Sequence, residues 1–458
     1  MEIKLKSDSR KINKGDTFIA IKNIARDGHD FIKSAIENGA EKIIAERGNY
    51  SVPTLIVKDT SLYFKNYLHD NYYPYFKDIK LIGVTGTNGK TTTCYLVYQL
   101  LNMLNKKAAY IGTLGFFMNG EVINLDNTTP DIDLLYSLFI KAKENNVEYI
   151  VMEVSSIALS RDRIFGLEYD EVAFTNLTQD HLDYHKTMEN YIDAKRLLFN
   201  KTRGNKIAII NSDDEYYKKF MFEDNNNITF GENGKAKISD IVLSNQGTTF
   251  KLTYNDKEYN ICNDFVGKFN VYNYVMAILL VSNLGFDLEE LIKISSKLKH
   301  PPGRMDMIKY KTNSIFIDYA HTPDAVYNAI SSTLEYKSGK VITIVGCGGD
   351  RDKTKRPIMG EIATRLSDYV ILTNDNPRCE NEKDIMNDIV SGITKDNYEI
   401  IYSRHDAIKK GIELLTDKDI LLILGKGHED YQIIGKEKIH FSDKECALDI
   451  IKSLNWKS

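Results

Sequence analysis

At 458 residues, with 42% hydrophobic and 27% charged residues, the chain is longer than one hydrophobic core supports, and a division into three units is expected. A formal net charge of -4 without a basic tail or patch argues against nucleic acid as a partner. The longest apolar runs, Tyr274 to Val281 and Ile420 to Leu424, fall far below the roughly 20 residues that cross a bilayer, so no membrane insertion is expected.

The chain opens "MEIKLKSDSRK", charged from its second residue and without an apolar export segment, so a cytoplasmic location is expected. Residues 1 to 78 mix short β-like runs ("DTFIAI", "KIIAE", "PTLIVK") with the helical stretch "HDFIKSAIENGA", which reads as a small α/β unit. Pro74 in "NYYPYFKD" (71 to 78) predicts a junction there.

From 79 to 299, strand-like runs ending in polar residues ("KLIGVTG", "EYIVMEVSS", "EVAFTNLT", "KIAIINSDD") alternate with helical stretches. That alternation predicts a mostly parallel sheet with helices on its faces. Between 238 and 264, three closely spaced runs predict antiparallel strands instead. From 300 to 458 the alternation resumes through "SIFIDYAH", "VITIVGCGG", "YVILTNDN", "EIIYS" and "DILLILGKG", predicting a second doubly wound, Rossmann-like unit. The fold class is therefore α/β in three segments. The five cysteines (Cys94, Cys262, Cys347, Cys379, Cys446) are scattered without a C-x-x-C pair, which favours free thiols over a disulfide framework or a zinc site.

Chemistry concentrates first in "GVTGTNGKTT" (83 to 92). Its glycines permit a tight turn that aims backbone N–H groups at phosphate oxygens, and the following helix adds its positive end. Gly86, Thr87, Asn88, Gly89, Lys90, Thr91 and Thr92 are the candidate nucleotide contacts, with Lys90 against the outer phosphates and Thr91 at the position of a Mg²⁺-binding hydroxyl. The spacing from Gly83 is one residue longer than the common P-loop. Glu153 and His181 end two strand-like runs and are expected near the same crevice, close enough to share a metal. On chemistry alone His181 stands open between a ligand and a hydrogen-bonded structural histidine, because Mg²⁺ prefers oxygen.

In order along nearly the whole chain, "GVTGTNGKTTT", "NTTPD", "MEVSS", "FTNLTQDHLDYH", "DAKRLLF", "FNVYN", "PPGRMD", "IDYAHTPDA", "GCGGDRDKTKRP", "TNDNPR" and "GKGHEDYQ" resemble the Mur ligases of bacterial cell-wall synthesis. Within that family they are similar to the members that add a diamino acid to UDP-muramyl dipeptide. The resemblance implies an ATP- and Mg²⁺-dependent amide ligase acting through an acyl phosphate, with segments 1–78, 79–299 and 300–458 serving the UDP-substrate, ATP and the amino acid. It implies catalytic roles for Lys90, Glu153, His181 and Lys195, with Thr91, Glu153, His181 and a carbamoylated Lys195 serving the metals. Without the resemblance, Lys195 reads as an exposed helix lysine.

By the same resemblance Ser9, Asn127, Thr128, Thr129, Ser155 and Arg163 would hold the muramyl-peptide substrate, and Asn270, Asn273, Arg304 and His321 would lie on the nucleotide side. Arg351, Asp375, Asn376, Arg378, Gly425 and Glu429 would hold the incoming amino acid. An arginine fork pairs bidentately with a carboxylate, so Arg378 suits meso-diaminopimelate, which carries a second carboxylate, over lysine, which does not. Lanthionine shares that feature. A catalytically idle nucleotide-binding protein of the same fold is the competing class, motivated by two departures from the family pattern, Ile157 and Arg161, and by a short N-terminal segment. A monomer is expected.

Overall fold

Alternating apolar runs and amphipathic stretches give the chain its layered form in a computed structural model, which describes residues 2–22, 26–244 and 247–455. Two units result, Met1–Ile228 and Thr229–Ser458.

In the first unit, a small sheet of four parallel strands runs in chain order: Leu5–Lys6, Thr17–Ile19, Lys42–Ala45 and Thr54–Ile56. The helix Thr60–Phe76 follows and continues through Pro74, where the sequence predicts a junction. Pro74 removes one hydrogen bond only two residues from the helix end. The buried row Phe64, Leu68, Tyr72 and Phe76 holds the helix in place, and Phe76 packs its ring on Tyr136 and Phe139 at 5.3 and 5.0 Å.

The unit's larger sheet has Lys80–Thr85 between Tyr169–Phe174 and Tyr149–Glu153. Those pairs are parallel, as are the pairs that Thr202–Asn211 and Ala108–Gly112 make at either side. The strands Gly115–Met118 and Glu121–Ile123 close one edge in antiparallel fashion. Because Lys80–Thr85 is central and nearly all buried, the turn after it opens in the crevice at the carboxyl ends of its neighbours.

In the second unit, Ala236–Ser244, Gly247–Tyr254 and Lys257–Asn263 pair antiparallel, as the sequence predicts. A six-stranded sheet follows in the order 306–310, 313–318, 420–424, 341–345, 369–372, 398–400. It is parallel except for Asp306–Tyr310, an added edge strand the sequence reading does not contain. Helices cover both faces. Val326, Met359 and Ile385 pack on one side, and Ala407, Ile412 and Ile450 on the other. A hairpin, Tyr431–Ile434 with Glu437–His440, was also not foreseen. Among the described residues no helix is long and apolar enough to cross a membrane.

Candidate active site

The turn after Lys80–Thr85 leads into the helix Lys90–Met103, whose Leu96, Val97, Leu100 and Leu101 are buried. Gly86 and Gly89 have φ of 144° and 85°, a left-handed backbone that side chains disfavour. A Cβ on Gly86 would run into the Thr175 hydroxyl and lie 3.0 Å from the Asn176 carbonyl oxygen. The neighbouring strand end braces the turn closely. Thr87 N–H donates to the Asn176 carbonyl (2.8 Å), Asn88 N–H to Asn176 Oδ1 (3.0 Å), and the Thr175 hydroxyl to the Asn88 carbonyl (2.6 Å). Lys90 Nζ folds back over the turn, donating to the carbonyls of Gly86 (3.0 Å) and Thr87 (2.8 Å). A cation over a glycine turn at a helix N-terminus is a fitting cradle for a phosphate chain.

Thr91 is buried and donates its hydroxyl to Glu153 Oε2 at 2.9 Å. Glu153, 1% exposed, also accepts from the Tyr110 hydroxyl and from Thr113 N–H (2.9 Å). The donors that meet here are a hydroxyl and a carboxylate, the hard oxygen set that Mg²⁺ prefers. Burial, with Glu153 beside it, pushes the Tyr110 phenol well above its ordinary range, so Tyr110 stays a donor to that carboxylate.

His181 is the most exposed of the expected metal groups, its ring centre 6.3 Å from that of Tyr191. Its backbone is left-handed (φ 53°) and its side chain 46% exposed, with Nε2 3.5 Å from Asp180 Oδ2 and N–H bonded to Asp180 Oδ1. Among the described residues no three of His, Cys, Asp or Glu converge as a metal site.

Lys195 lies at the opposite extreme. The exposed-lysine reading fails, because the side chain is 1% exposed, with Nζ donating to the Gly86 carbonyl at 2.7 Å and lying 4.5 Å from the Tyr191 ring centre. Tyr191 in turn shares a hydrogen bond with the Thr87 hydroxyl (3.1 Å). Burial, then the Lys90 charge, lowers the Lys195 ammonium well below its ordinary value. The amine therefore sits against the phosphate turn with its charged form disfavoured.

The "NTTPD" segment is tied to the end of the Glu153 strand. Thr129 is fully buried, its hydroxyl donating to the Glu153 carbonyl (2.8 Å) and accepting from Ser155 N–H (3.0 Å). Its side chain thus braces the loop that carries the expected substrate contacts. Thr128 shares a hydrogen bond with Thr113 (3.1 Å), and Asn127 is exposed. Ser155 caps the helix Ser156–Ser160. Arg163 donates to the Thr129 carbonyl (2.9 Å) and pairs with Asp131 (2.8 Å). Of the departures, Ile157 is half-buried and Arg161 lies over the Tyr184 ring at 5.5 Å. Between the first two strands of the N-terminal sheet, Ser9 starts the 3₁₀ helix Ser9–Lys11 and is buried, its carbonyl accepting from Asn38.

Within the second unit, Asn270 and Asn273 lie one turn apart on the helix Lys268–Asn283. Both are buried, at 3% and 6% exposure, with Asn270 Nδ2 on the Val266 carbonyl and Asn273 Nδ2 on Asn270 Oδ1. Their amides are occupied in packing their own helix. Arg304 lies over the Tyr319 ring at 5.4 Å, and His321 Nδ1 meets the Tyr319 carbonyl at 2.7 Å.

The second cluster surrounds Gly348. A Cβ there would lie 2.9 Å from Arg378 Nη1 and 3.7 Å from Arg351 Cγ, so the two arginines flank one glycine. Arg378 donates to the carbonyl of Gly349 (2.8 Å), and Arg351 to that of Asp350 (3.4 Å). Neither has a carboxylate partner among the described residues. Beside them Asp375 and Asn376 are buried. Asn376 Nδ2 donates to Glu429 Oε2 (3.1 Å), while the fully buried Lys426 reaches Asn376 Oδ1 (3.2 Å) and Glu429 Oε2 (3.4 Å). Gly425 (φ 118°) leaves room for Asp375, whose Oδ2 would be 2.7 Å from a Cβ at that position.

Sequence reading missed Tyr110, Thr113, Asn176, Tyr191 and Lys426. Only Asn176, in "FTNLT" at a strand end like that of Glu153, and Lys426, in "GKG" after an apolar strand, carried a local signal.

Comparison with known proteins finds similarity along nearly the whole chain. Three family models match in order: the Mur ligase family catalytic domain over residues 4–67, the Mur ligase middle domain over 84–281, and the Mur ligase glutamate ligase domain over 303–427. The UDP-N-acetylmuramoyl-L-alanyl-D-glutamate--2,6-diaminopimelate ligase 1 of Clostridium acetobutylicum is 41% identical, covering 98% of this chain and 95% of its own. The corresponding ligase of Bacillus cereus is 42% identical over 98% and 93%. A solved structure of a UDP-N-acetylmuramoyl-L-alanyl-D-glutamate--2,6-diaminopimelate ligase superposes with a TM-score of 0.72 at 31% identity, covering 98% of this chain and 95% of that one. The MurF ligase of Thermotoga maritima in complex with ADP shares the fold, with a TM-score of 0.65 at 21% identity over the full length of both chains.

Proposed function

The chain belongs to the Mur ligase family, and from that premise we propose that it joins meso-2,6-diaminopimelate to UDP-N-acetylmuramoyl-L-alanyl-D-glutamate, consuming ATP through an acyl phosphate. The product is the UDP-muramyl tripeptide used in peptidoglycan synthesis, hence in cell shape and division. Segments 1–78, 79–299 and 300–458 are assigned to the UDP-substrate, ATP and the amino acid, which the order of the family matches supports. A cytoplasmic monomer is the form proposed.

The observation that carries the choice of amino acid is the pair of arginines flanking Gly348 without carboxylate partners among the described residues. A guanidinium in such a position favours a ligand that supplies the missing anion. Meso-diaminopimelate has a carboxylate at each end. Glu429, Asp375 and Asn376 supply the oxygens for an ammonium.

At the phosphate turn, Lys90 offsets the charge of the outer phosphates, while Gly86 and Gly89 let the backbone approach them. Thr91 and Glu153 would hold Mg²⁺, with the exposed His181 a further candidate ligand, and the bound ion would screen the repulsion between an attacking carboxylate and the phosphates. Tyr110 and Thr113 keep the Glu153 carboxylate oriented. Lys195, buried and with its ammonium form disfavoured, is suited to carbamoylation: the nitrogen of its neutral form attacks the carbon of CO₂, one proton leaves to solvent, and an anionic carbamate replaces the amine.

Two measurements test the reading. Phosphate release should require ATP, the UDP-dipeptide and diaminopimelate together. Heavy oxygen placed in the D-glutamyl carboxylate should appear in the released phosphate, as an acyl phosphate demands. Release at the same rate with ATP alone, or phosphate without the label, would contradict the proposal.

A further inference from the structure

Arg356, in the first turn of the helix Lys355–Leu366, is fully buried although it touches no expected substrate group. Its guanidinium forks onto Glu380, with Nη1 2.8 Å from Oε1 and Nη2 2.7 Å from Oε2. Glu380 lies two residues after Arg378. Nη2 of Arg356 also donates to the Gly348 carbonyl at 3.1 Å, and Glu380 Oε2 accepts the N–H of Asp350 at 2.9 Å. One ion pair therefore fastens the loop before Arg351 to the loop after Arg378. Two further bonds cross between these loops, from Gly349 N–H to the Asn376 carbonyl (2.9 Å) and from Cys379 N–H to Asp350 Oδ2 (3.1 Å).

The same arginine holds a second carboxylate, Asp388, through Nη1 at 2.9 Å, but Asp388 sits on the helix Glu382–Val390 and is 40% exposed. From the opposite side the hairpin clamps Arg378 itself, through Arg378 N–H to the Ile433 carbonyl (3.0 Å) and Gly435 N–H to the Arg378 carbonyl (2.8 Å). Arg378 is held there at φ 53°, a conformation that non-glycine residues adopt only when their surroundings impose it.

We propose that Arg356 and Glu380 are positioning residues for the amino-acid site: their buried pair holds the loop of Arg351 against the loop of Arg378 and so keeps both arginines in place for the carboxylates of a diamino acid that carries two. The inference rests on the diamino-acid reading above. A displacement of about 1 Å in a positioned group is enough to cost a large factor in rate or affinity, and a buried bidentate pair prevents such drift. The Glu380 carboxyl is held well below the usual range by its bonds to Arg356 and then Lys353, so the pair stays charged at neutral pH.

The test uses purified full-length protein with ATP, UDP-dipeptide and diamino acid, comparing wild type with Glu380→Gln, Arg356→Lys and Asp388→Asn. Glu380→Gln should raise KM for meso-diaminopimelate about tenfold or more, with KM for ATP held within about twofold. Its preference for diaminopimelate over lysine should shrink by a similar factor. Arg356→Lys keeps the charge and loses the fork, so it should shift the same KM by less. Asp388→Asn removes an ion pair from the same guanidinium without touching either loop, and should leave KM within about twofold. Equal shifts in Asp388→Asn and Glu380→Gln, a parallel rise in KM for ATP, or no shift in Glu380→Gln would overturn the proposal. If Glu380→Gln fails to fold, Arg356→Lys decides on the same criteria. Wild-type protein that adds no diaminopimelate overturns the functional reading as well, whereas normal wild-type turnover with unshifted variants overturns this proposal alone.

Discussion

Replacing Arg378 with alanine isolates the group that reads the second carboxylate. In the structure its guanidinium gives up two bonds, to the carbonyls of Gly349 at 2.8 Å and Asn376 at 3.4 Å, so the direct cost to stability is about 1–3 kcal/mol. Alanine meets the same left-handed φ of 53°, which adds no new strain. Toward a bound substrate there is a further loss. A charge-assisted bond to a carboxylate contributes about 1.5–3 kcal/mol, which converts to about a 10- to 150-fold fall in kcat/KM for meso-diaminopimelate. Lysine lacks the carboxylate and so loses nothing, while removal of an uncompensated cation from its end of the site helps it. The ratio of the two kcat/KM values should therefore fall by at least about tenfold. Steady-state phosphate release with each amino acid in turn, wild type beside Arg378→Ala, measures that ratio, and lanthionine should follow diaminopimelate. Equal losses for diaminopimelate and lysine would refute the reasoning, since they would mean that Arg378 supports the site without reading the ligand.

At the phosphate turn, Gly86→Ala should fold yet lose about 100-fold or more in ATP-dependent turnover, because the new methyl meets Thr175 and Asn176 and displaces the turn; retained nucleotide binding in a calorimeter would count against this. Glu153→Gln should cost about 100-fold or more in kcat and raise the Mg²⁺ needed for half-maximal rate, since an amide presents two donors where Thr91, Tyr110 and Thr113 already donate; an unchanged Mg²⁺ titration would contradict it. For Lys195 the folded pKa lies well below the ordinary 10.5, so above pH 10.5 its neutral form costs nothing. As pH falls from there toward the folded value, the unfolded chain takes up the proton first and the native state is progressively disfavoured. In CO₂-free buffer, Lys195→Met should accordingly gain stability relative to wild type as pH is lowered from 10.5, read as urea midpoints; a difference independent of pH would exclude a buried neutral amine.

What the sequence makes legible is what local pattern controls. The phosphate turn follows from glycines between an apolar strand and an amphipathic helix, and the antiparallel strands between 236 and 263 follow from closely spaced β-like runs. Pro74 misleads because its local preference for ending a helix is outweighed by Phe64, Leu68, Tyr72 and Phe76, whose burial depends on partners distant in sequence. The side chains that orient Glu153 are illegible for a similar reason: Tyr110 and Thr113 precede it by 43 and 40 residues and meet it only when the parallel strands align. The burial of Lys195 is likewise tertiary, since its helix offers no apolar signal strong enough to place an ammonium against the Gly86 carbonyl. Thr129, Asn270 and Asn273 show how motif residues can also brace the fold, since each makes an intramolecular hydrogen bond that the motif itself does not announce. Arg356 carries no signal in the sequence beyond its place in "KTKRP", because its role depends on Glu380 in a separate loop.

The most direct measurement is the product itself. Mass spectrometry of a reaction containing ATP, UDP-N-acetylmuramoyl-L-alanyl-D-glutamate and an equal mixture of meso-diaminopimelate and lysine should show the dipeptide converted to the diaminopimelate tripeptide, with one ADP and one phosphate formed for each. A lysine adduct in excess, or ADP accumulating while the dipeptide stays intact, would contradict the account.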